Sequence, residues 1–293
     1  TIKPGEWNVA AQTVHFIAMA RGDRRFETRG GSARVGFTDD RLYMAVTSEV
    51  SPAGPRADKT ARDAKLISES GIEIWIDPNR ERRDAGEPDD TRYYQFMGNP
   101  LGTILDVAYD TRGSPDVGWN GDWEYKCHVD MDQRLWTAEI SVSWDALGLS
   151  SPAGKSIGLI IARDYKQPWN QVTWLAVGNA FADFGAYPIV RLTEHQPTVQ
   201  VQSLGGDDAF MGKLDLQARV VNPGPARTVE ARLNIVSSDM PMLEDTQKLD
   251  LPAGGSADYR FQAPPGRLHA DAVHTLTFAV VDSESGETFF YHP

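Results

Sequence analysis

The sequence predicts an all-β protein made of two consecutive antiparallel β-sandwich domains, and three observations predict it. Short runs of alternating apolar and polar residues recur at roughly ten-residue spacing, whereas segments with the period of an α-helix are almost absent. Turn-forming residues such as Asp77-Pro78-Asn79 separate these runs. The chain of 293 residues exceeds one typical domain. Segment 194–210 contains Pro, paired Gly and paired Asp, which predicts a domain boundary there.

The first domain is expected to span residues 1–195. Its strands are predicted near residues 33–38, 41–47, 72–77, 92–99, 103–109, 123–131, 135–142, 156–165, 172–177 and 189–193. The polar stretch 53–70 is expected to be a surface loop with at most one helical turn. Many short strands joined by turns are typical of an antiparallel sandwich or jelly roll.

The second domain is expected to span residues 196–293. Alternating runs lie at 213–221, 227–237, 257–262 and 274–281, with the turn Asn222-Pro223-Gly224-Pro225 between the first two. About seven short strands in a segment of this length are typical of an immunoglobulin-like or fibronectin-like sandwich.

Composition excludes several classes of partner and site. The formal net charge is −12 and the sequence pI is about 4.9, so a nucleic-acid-binding surface is not expected. Cys127 is the single cysteine, which excludes an intrachain disulfide and a thiolate zinc site. No run approaches the ~18 apolar residues of a membrane-spanning helix, so membrane insertion is not expected.

The segment GIEIWIDPNRE, residues 71 to 81, carries the clearest functional signal. Alternation places Ile72, Ile74 and Ile76 on a core-facing side, and Glu73 and Trp75 on the opposite side. An aromatic ring stacks on the apolar face of a pyranose, and a carboxylate accepts hydrogen bonds from its hydroxyl groups. This pairing favours sugar recognition. The alternative is that Trp75 packs beneath a loop and Glu73 forms an internal salt bridge.

The first domain resembles the family 9 carbohydrate-binding modules and the wider group of DOMON-like sandwiches. The resemblance covers about residues 4 to 193 and rests on the order of these segments: PGEWNVA, RVGFTDDRLYMAVTS, IEIWIDPN, YYQFMGNPLG, WTAEISVSWDALGL, GKSIGLIIARD, TW and DFG. It implies a sandwich that binds sugars on its concave face, often with structural Ca²⁺. It also implies attachment to enzymes that degrade polysaccharides.

Candidate ligand contacts follow from the resemblance and from the pattern of side chains. Glu73 matches the family's sugar-contacting carboxylate, Gln95 falls on the same face, and Met97 stands where the family has an arginine. Phe181 is the nearest match to an aromatic that clamps a sugar. The candidate ligand-binding residues are Glu73, Trp75, Tyr93, Gln95, Phe181, Trp169 and Arg163.

A calcium site is expected at one acidic loop. Glu87, Asp89 and Asp90 supply hard oxygen donors within four residues, although their spacing is not that of an EF-hand. The expected cofactor is therefore structural Ca²⁺.

The function expected from these observations is non-catalytic binding of a polysaccharide or oligosaccharide, which would bring an attached glycan-degrading enzyme to its substrate. Two alternatives stay open. In the first, both domains are structural and pack against a catalytic domain elsewhere in the precursor. In the second, the chain is itself a carbohydrate-active enzyme. No GxSxG, HExxH, P-loop or GxGxxG pattern stands in its required context.

The expected location is outside a bacterial cell, either secreted or attached to the cell surface. No signal peptide is present, and the chain begins at Thr1 without a methionine. We therefore expect it to be a processed or excised piece of a longer precursor.

Overall fold

The computed structural model describes residues 5–18, 27, 29–86, 92–175, 180–205, 214–237, 242–264, 266–268 and 274–292. The described chain is nearly all β, as the sequence predicts. Its strands are β1 Ala11–Val14, β2 Ile17–Ala18, β3 Gly31–Phe37, β4 Arg41–Glu49, β5 Gly71–Asp77, β6 Tyr93–Gly98, β7 Ile104–Tyr109, β8 Pro115–Asp116, β9 Trp123–Asp130, β10 Leu135–Ser143, β11 Ser156–Lys166, β12 Trp169–Thr173, β13 Ile189–Arg191, β14 Thr198–Leu204, β15 Asp215–Val221, β16 Arg227–Ser237, β17 Leu243–Leu251, β18 Ser256–Gln262, β19 His274–Asp282 and β20 Thr288–His292.

Within the described ranges, helical structure is limited to short turns. The helix α1 spans Arg80–Asp84, and two 3₁₀ turns span Leu66–Ser68 and Phe184–Ala186. The first 3₁₀ turn lies in the polar stretch 53–70, where the sequence predicts a loop with one helical turn. No helix among the described ranges is long and apolar enough to cross a membrane.

The chain forms two compact units. The first comprises residues 1–7 and 15–193, and the second comprises residues 8–14 and 194–293. A short N-terminal segment, which includes β1, thus belongs to the second unit. The domain boundary expected between residues 195 and 196 stays a prediction.

In the first unit, two antiparallel layers enclose one core. One layer has the strand order β3-β4-β10-β9, and the other has the order β2-β12-β11-β5-β6-β7-β8, with β13 pairing to β11. Side chains from both layers form the core, including Leu42 and Met44 from β4 and Ile72, Ile74 and Ile76 from β5. Each of these five is at most 1% exposed, so the core lies between the layers as in a sandwich.

The second unit has its own core and two layers. Their strand orders are β18-β15-β14-β1 and β17-β16-β19-β20. The pairing of β1 with β14 is parallel, with Gln12 opposite Gln200, whereas the other pairings in this unit are antiparallel. Tyr259 and Phe278 lie in its core with ring centroids 5.0 Å apart. The immunoglobulin-like assignment of this unit stays a prediction.

Candidate functional site

The candidate site lies on one face of the eight-stranded layer of the first unit, which contains β5. In β5, Ile72, Ile74 and Ile76 join the core, and Glu73 and Trp75 point to the other side, as alternation predicts. We call this other side the outer face. It carries Glu73, Trp75, Tyr93, Gln95, Tyr109, Asp164, Trp169 and Gln171.

Strand register brings the residues of the outer face together. Trp75 lies opposite Gln95 on β6, and Tyr93 lies opposite Tyr109 on β7. Side chains on directly paired residues are neighbours on the same face of a sheet. Glu73, Trp75, Tyr93 and Gln95, which the sequence analysis selected, therefore form one cluster.

A hydrogen-bond network surrounds the Glu73 carboxylate. Its Oε2 accepts hydrogen bonds from Trp75 Nε1 and Gln95 Nε2, each at 2.9 Å. The Oε1 atom of Gln95 accepts a hydrogen bond of 2.7 Å from the Tyr109 hydroxyl. The indole and the amide thus hold one carboxylate oxygen from two sides. Glu73 is 0% exposed, so solvent does not stabilise a charge on its carboxylate. Among the described residues, it also has no salt-bridge partner.

A second buried carboxylate lies beside the first. Asp164 on β11 is 0% exposed, and its Oδ1 accepts a hydrogen bond of 2.9 Å from Gln171 Nε2. Burial raises the pKa of Glu73 well above its ordinary value, and the charge of the neighbouring Asp164 raises it further. The hydrogen bonds from Trp75 and Gln95 oppose this shift.

Aromatic rings cover the middle of the outer face. The Trp75 ring stacks on Tyr109 at 5.4 Å between centroids and lies 6.4 Å from both Phe181 and Phe184. The Tyr93 ring stacks on Phe184 at 3.5 Å. Trp75, Tyr93 and Phe181 are consequently 6%, 3% and 7% exposed. The segment 181–187 of the same unit thus provides the cover.

Two anchors hold that covering segment. Tyr187 donates a hydrogen bond of 2.7 Å to the Phe181 carbonyl, and Arg80 Nη1 donates to the carbonyls of Phe184 and Gly185. Burial of Tyr187 raises the pKa of its hydroxyl, so that group stays neutral and serves as a donor.

Trp169 lies at the open end of the outer face. It begins β12, pairs with Lys166, and is 63% exposed. Gln171, two residues along the same strand, is half-buried and bonds to Asp164. The outer face therefore runs from an exposed tryptophan, past a half-buried glutamine, to the two buried carboxylates.

Arg163, another of the ligand candidates, lies on the core side and not on the outer face. It follows Ile157, Leu159 and Ile161 on the core side of β11 and is 1% exposed. Its guanidinium stacks over the Trp136 ring at 4.3 Å, and burial lowers its pKa to about 10. Arg163 shares this side with those three residues, since residues two apart on a strand share a face.

Sequence reasoning missed Asp164, Tyr109, Gln171 and Phe184. The strand SIGLIIARDYK is apolar on both faces, so its pattern does not indicate where Asp164 points. Phe184 follows Asp183 in the DFG segment quoted for the resemblance, and only the path of segment 181–187 brings it over Tyr93.

No calcium site appears among the residues that the structure describes. Within those ranges, no group of three or more His, Cys, Asp or Glu side chains is arranged to hold a metal ion. The predicted ligands Glu87, Asp89 and Asp90 lie outside the described residues. Structural calcium therefore stays a prediction.

Comparison with known proteins yields structural similarities only. No family model matches the sequence, and no curated protein matches it. A Bacteroides uniformis protein provisionally assigned as carbohydrate-binding is similar, with TM-score 0.49 and 13% identity over 62% of this chain and 86% of that one.

A family 9 carbohydrate-binding module from Caldicellulosiruptor kristjanssonii is also similar. Its complex with cellotriose gives TM-score 0.45 and 11% identity over 65% of this chain and 86% of that one. Its complex with glucose gives TM-score 0.43 and 12% identity over 67% of this chain and 90% of that one. At these low values, membership of a family does not follow from the similarities.

Proposed function

We propose that the first unit binds carbohydrate on the outer face and has no catalytic role of its own. The observation that carries this proposal is the combination on one sheet face of an exposed indole, a half-buried glutamine and buried carboxylates. Trp169 is 63% exposed, while Glu73 and Asp164 are 0% exposed on the same face. Sugar sites combine these groups, because an indole packs on sugar C–H groups and amides and carboxylates bind hydroxyls.

The accessible end of the face makes the direct contacts in this proposal. Trp169 stacks on a sugar ring, and Gln171 and Lys166 donate hydrogen bonds to its hydroxyl or ring oxygens. The packed floor beneath this end consists of the ligand candidates Glu73, Trp75, Tyr93, Gln95 and Phe181. Because Gln171 bonds to Asp164, the floor orients the amide that meets the ligand.

The biological role that we propose is adsorption. A glycan-binding unit joined to a glycan-degrading enzyme raises the local concentration of that enzyme on its polysaccharide. This role places the protein outside a bacterial cell, where polysaccharide is available. Bound sugar would be held with modest affinity, since one exposed ring and a few polar groups are involved.

A second candidate role is structural, and a specific observation favours it. Trp75, Tyr93 and Phe181 are each at most 7% exposed beneath the segment 181–187. These rings pack against each other and are not available for stacking on a ligand in this arrangement. In this second role the unit positions a neighbouring catalytic domain and binds no glycan.

We expect Trp169→Ala to weaken glycan binding by about tenfold or more, which corresponds to about 1.4 kcal/mol. The substitution removes the exposed ring without opening a cavity, so the fold is expected to stay intact. Affinity gel electrophoresis against a panel of soluble polysaccharides, followed by titration calorimetry with a retained one, measures the effect. Parallel gels with EDTA test the calcium prediction.

Tyr291→Ala is the matched control. Tyr291 is 57% exposed on β20 of the second unit, so the control also removes one accessible aromatic ring. Binding that Trp169→Ala and Tyr291→Ala reduce equally would contradict the proposed position of the site. Absence of binding by the wild type to every polysaccharide in the panel would favour the structural role.

A further inference from the structure

Two buried carboxyl groups on the outer face each have one oxygen without a hydrogen-bond donor. Glu73 and Asp164 are both 0% exposed. Among the described residues, Glu73 Oε1 and Asp164 Oδ2 have no hydrogen-bond partner, although Glu73 Oε2 has two and Asp164 Oδ1 has one. A buried acceptor without a donor is costly, so an occupant or a proton is expected between these oxygens.

Strand pairing explains why the two groups are neighbours. Glu73 lies directly opposite Ala162 and Gly71 lies directly opposite Asp164, so the two acids are diagonal neighbours on adjacent strands. Gly71 has no side chain and Ala162 has only a methyl group, so neither separates the carboxyl groups. Diagonal neighbours on one face of an antiparallel pair lie about 7–8 Å apart, which a long side chain such as that of Glu73 can span.

Within the described ranges, no protein cation neutralises this pair. No Lys, Arg or His side chain forms an ion pair with either acid in the part of the chain that the structure describes. Arg163, on the core side, donates to the backbone carbonyls of Gly71 and Asp164 and to Ser48. Its guanidinium therefore does not reach the carboxylate oxygens on the opposite face.

A calcium ion fits the pair poorly. Calcium takes six to eight oxygen ligands, whereas only two carboxylate oxygens here lack a partner. The other polar groups present N–H donors to the carboxylates, from Trp75, Gln95 and Gln171. These donors would repel a cation, and the site is fully buried. A proton needs neither space nor further ligands.

We propose that Glu73 and Asp164 share one proton, with Glu73 as the carboxylic acid and Asp164 as the carboxylate. Glu73 Oε1–H then donates to Asp164 Oδ2, and both oxygens without a partner are satisfied by a single bond. One negative charge remains in place of two, which greatly reduces the free-energy cost of burial. This inference does not depend on the proposed binding of carbohydrate.

The shared proton completes a hydrogen-bond chain across five adjacent strands. The Tyr109 hydroxyl on β7 donates to Gln95 on β6, and Gln95 donates to Glu73 on β5. Glu73 donates to Asp164 on β11, which also accepts from Gln171 on β12. Glu73 can donate to Asp164 in this series only when it carries the proton. The chain therefore ties the strands of the outer face together through their side chains.

Two tyrosines near the pair are held neutral, because burial raises the pKa of Tyr109 and of Tyr187. Among the described residues, Lys166 lies two residues from Asp164 on β11, and Arg163 lies beside Asp164 on the core side. Asp77 on β5 and Asp183 in the covering segment lie near Tyr187.

The sign of the pH dependence follows from the raised pKa of Glu73. Between its unfolded pKa, about 4.5, and its higher folded pKa, the folded state binds one more proton than the unfolded state. The stabilisation is therefore complete below about pH 4.5 and is lost as the pH rises through the folded pKa. In that window, the unfolding equilibrium constant of the wild type is expected to rise about tenfold per pH unit from this group.

Glu73→Gln tests the proposal, because its amide N–H₂ can donate to Asp164 at any pH and its oxygen can accept from Trp75 and Gln95. We expect this variant to lose the tenfold dependence per pH unit and to unfold less readily than the wild type at high pH. Urea unfolding across a pH series, followed by tryptophan fluorescence, measures this. All eight tryptophans lie at or before residue 174, so the signal reports on the first unit.

Asp164→Asn and Glu124→Gln complete the set. The amide introduced by Asp164→Asn would donate to Glu73, so the dependence should end at a lower pH than in the wild type, whereas Glu124, exposed on β9, should leave it unchanged when neutralised. If Glu73→Gln does not fold, the ¹³C chemical shift of the Glu73 carboxyl carbon in the wild type gives an independent readout. A Glu73 carboxyl that titrates at or below pH 4.5, or a dependence that ends at the same pH in the wild type and in Asp164→Asn, would overturn the shared proton.

Discussion

Replacing Arg163 with alanine is expected to lower the free energy of unfolding of the first unit by about 3–5 kcal/mol. The side chain is 1% exposed and lies 4.3 Å from the ring centroids of both Trp136 and Tyr165. It also donates hydrogen bonds of 3.2 Å to the Gly71 carbonyl and to Ser48 Oγ. Alanine would therefore leave a cavity between two aromatic rings and remove a donor from a buried carbonyl.

Urea unfolding followed by tryptophan fluorescence measures this loss, and two further variants interpret it. Arg163→Met keeps most of the volume without a buried charge, so we expect it to lose less stability than alanine. Arg112→Ala removes an exposed arginine of the same unit and should change the free energy by at most about 0.5 kcal/mol. Similar values for Arg163→Ala and Arg112→Ala would show that Arg163 is not a core residue.

Replacing Trp75 with alanine is also expected to cost the first unit about 3–5 kcal/mol. Trp75 is 6% exposed, stacks on Tyr109, and packs against Phe181 and Phe184. Its indole N–H also donates to Glu73 at 2.9 Å. The substitution removes the ring on which the covering segment packs and one of the donors to a buried carboxyl group.

The same unfolding measurement distinguishes packing from hydrogen bonding at this position. Trp75→Phe keeps an aromatic ring but lacks the N–H, so we expect it to recover part of the loss. Trp169→Ala is the control, since an exposed tryptophan on the same face should change stability by less than about 0.5 kcal/mol. A Trp75→Ala variant as stable as Trp169→Ala would mean that Trp75 is not covered. Because Trp75→Ala affects stability, the loss of glycan binding in that variant alone would not locate a site.

The shared proton and the proposed binding face are linked through Gln171. The Gln171 amide donates a hydrogen bond to Asp164, and Gln171 is half-buried two residues from the exposed Trp169. If the Glu73–Asp164 pair loses its proton at high pH, repulsion between the two carboxylates would disturb the residue that orients the amide. Glycan binding measured across the same pH series would then weaken at high pH in the wild type and not in Glu73→Gln.

The sequence determined the all-β architecture and the two sides of β5. Strict alternation in residues 72–76 separates three isoleucines from Glu73 and Trp75, and the structure places the isoleucines in the core. The strands β4, β5, β6, β9 and β10 begin and end within about two residues of their predicted bounds, because turn residues with a clear physical role flank them. These features depend on local pattern, which a single sequence contains.

Only the tertiary structure decided the arrangement of the candidate site. Both faces of the first seven residues of β11 are buried, so alternation does not show which face of β11 points to the core. Only the pairing of β11 with β5 places Arg163 on the core side and Asp164 on the outer face. Strand β1 pairs with β14 across nearly 190 residues of sequence, as the hydrogen bond from Gln12 to Val201 shows. The cover that Phe181 and Phe184 form over Trp75 likewise joins segments about 100 residues apart. Such contacts depend on which strands become neighbours, and local propensity carries no information about that choice.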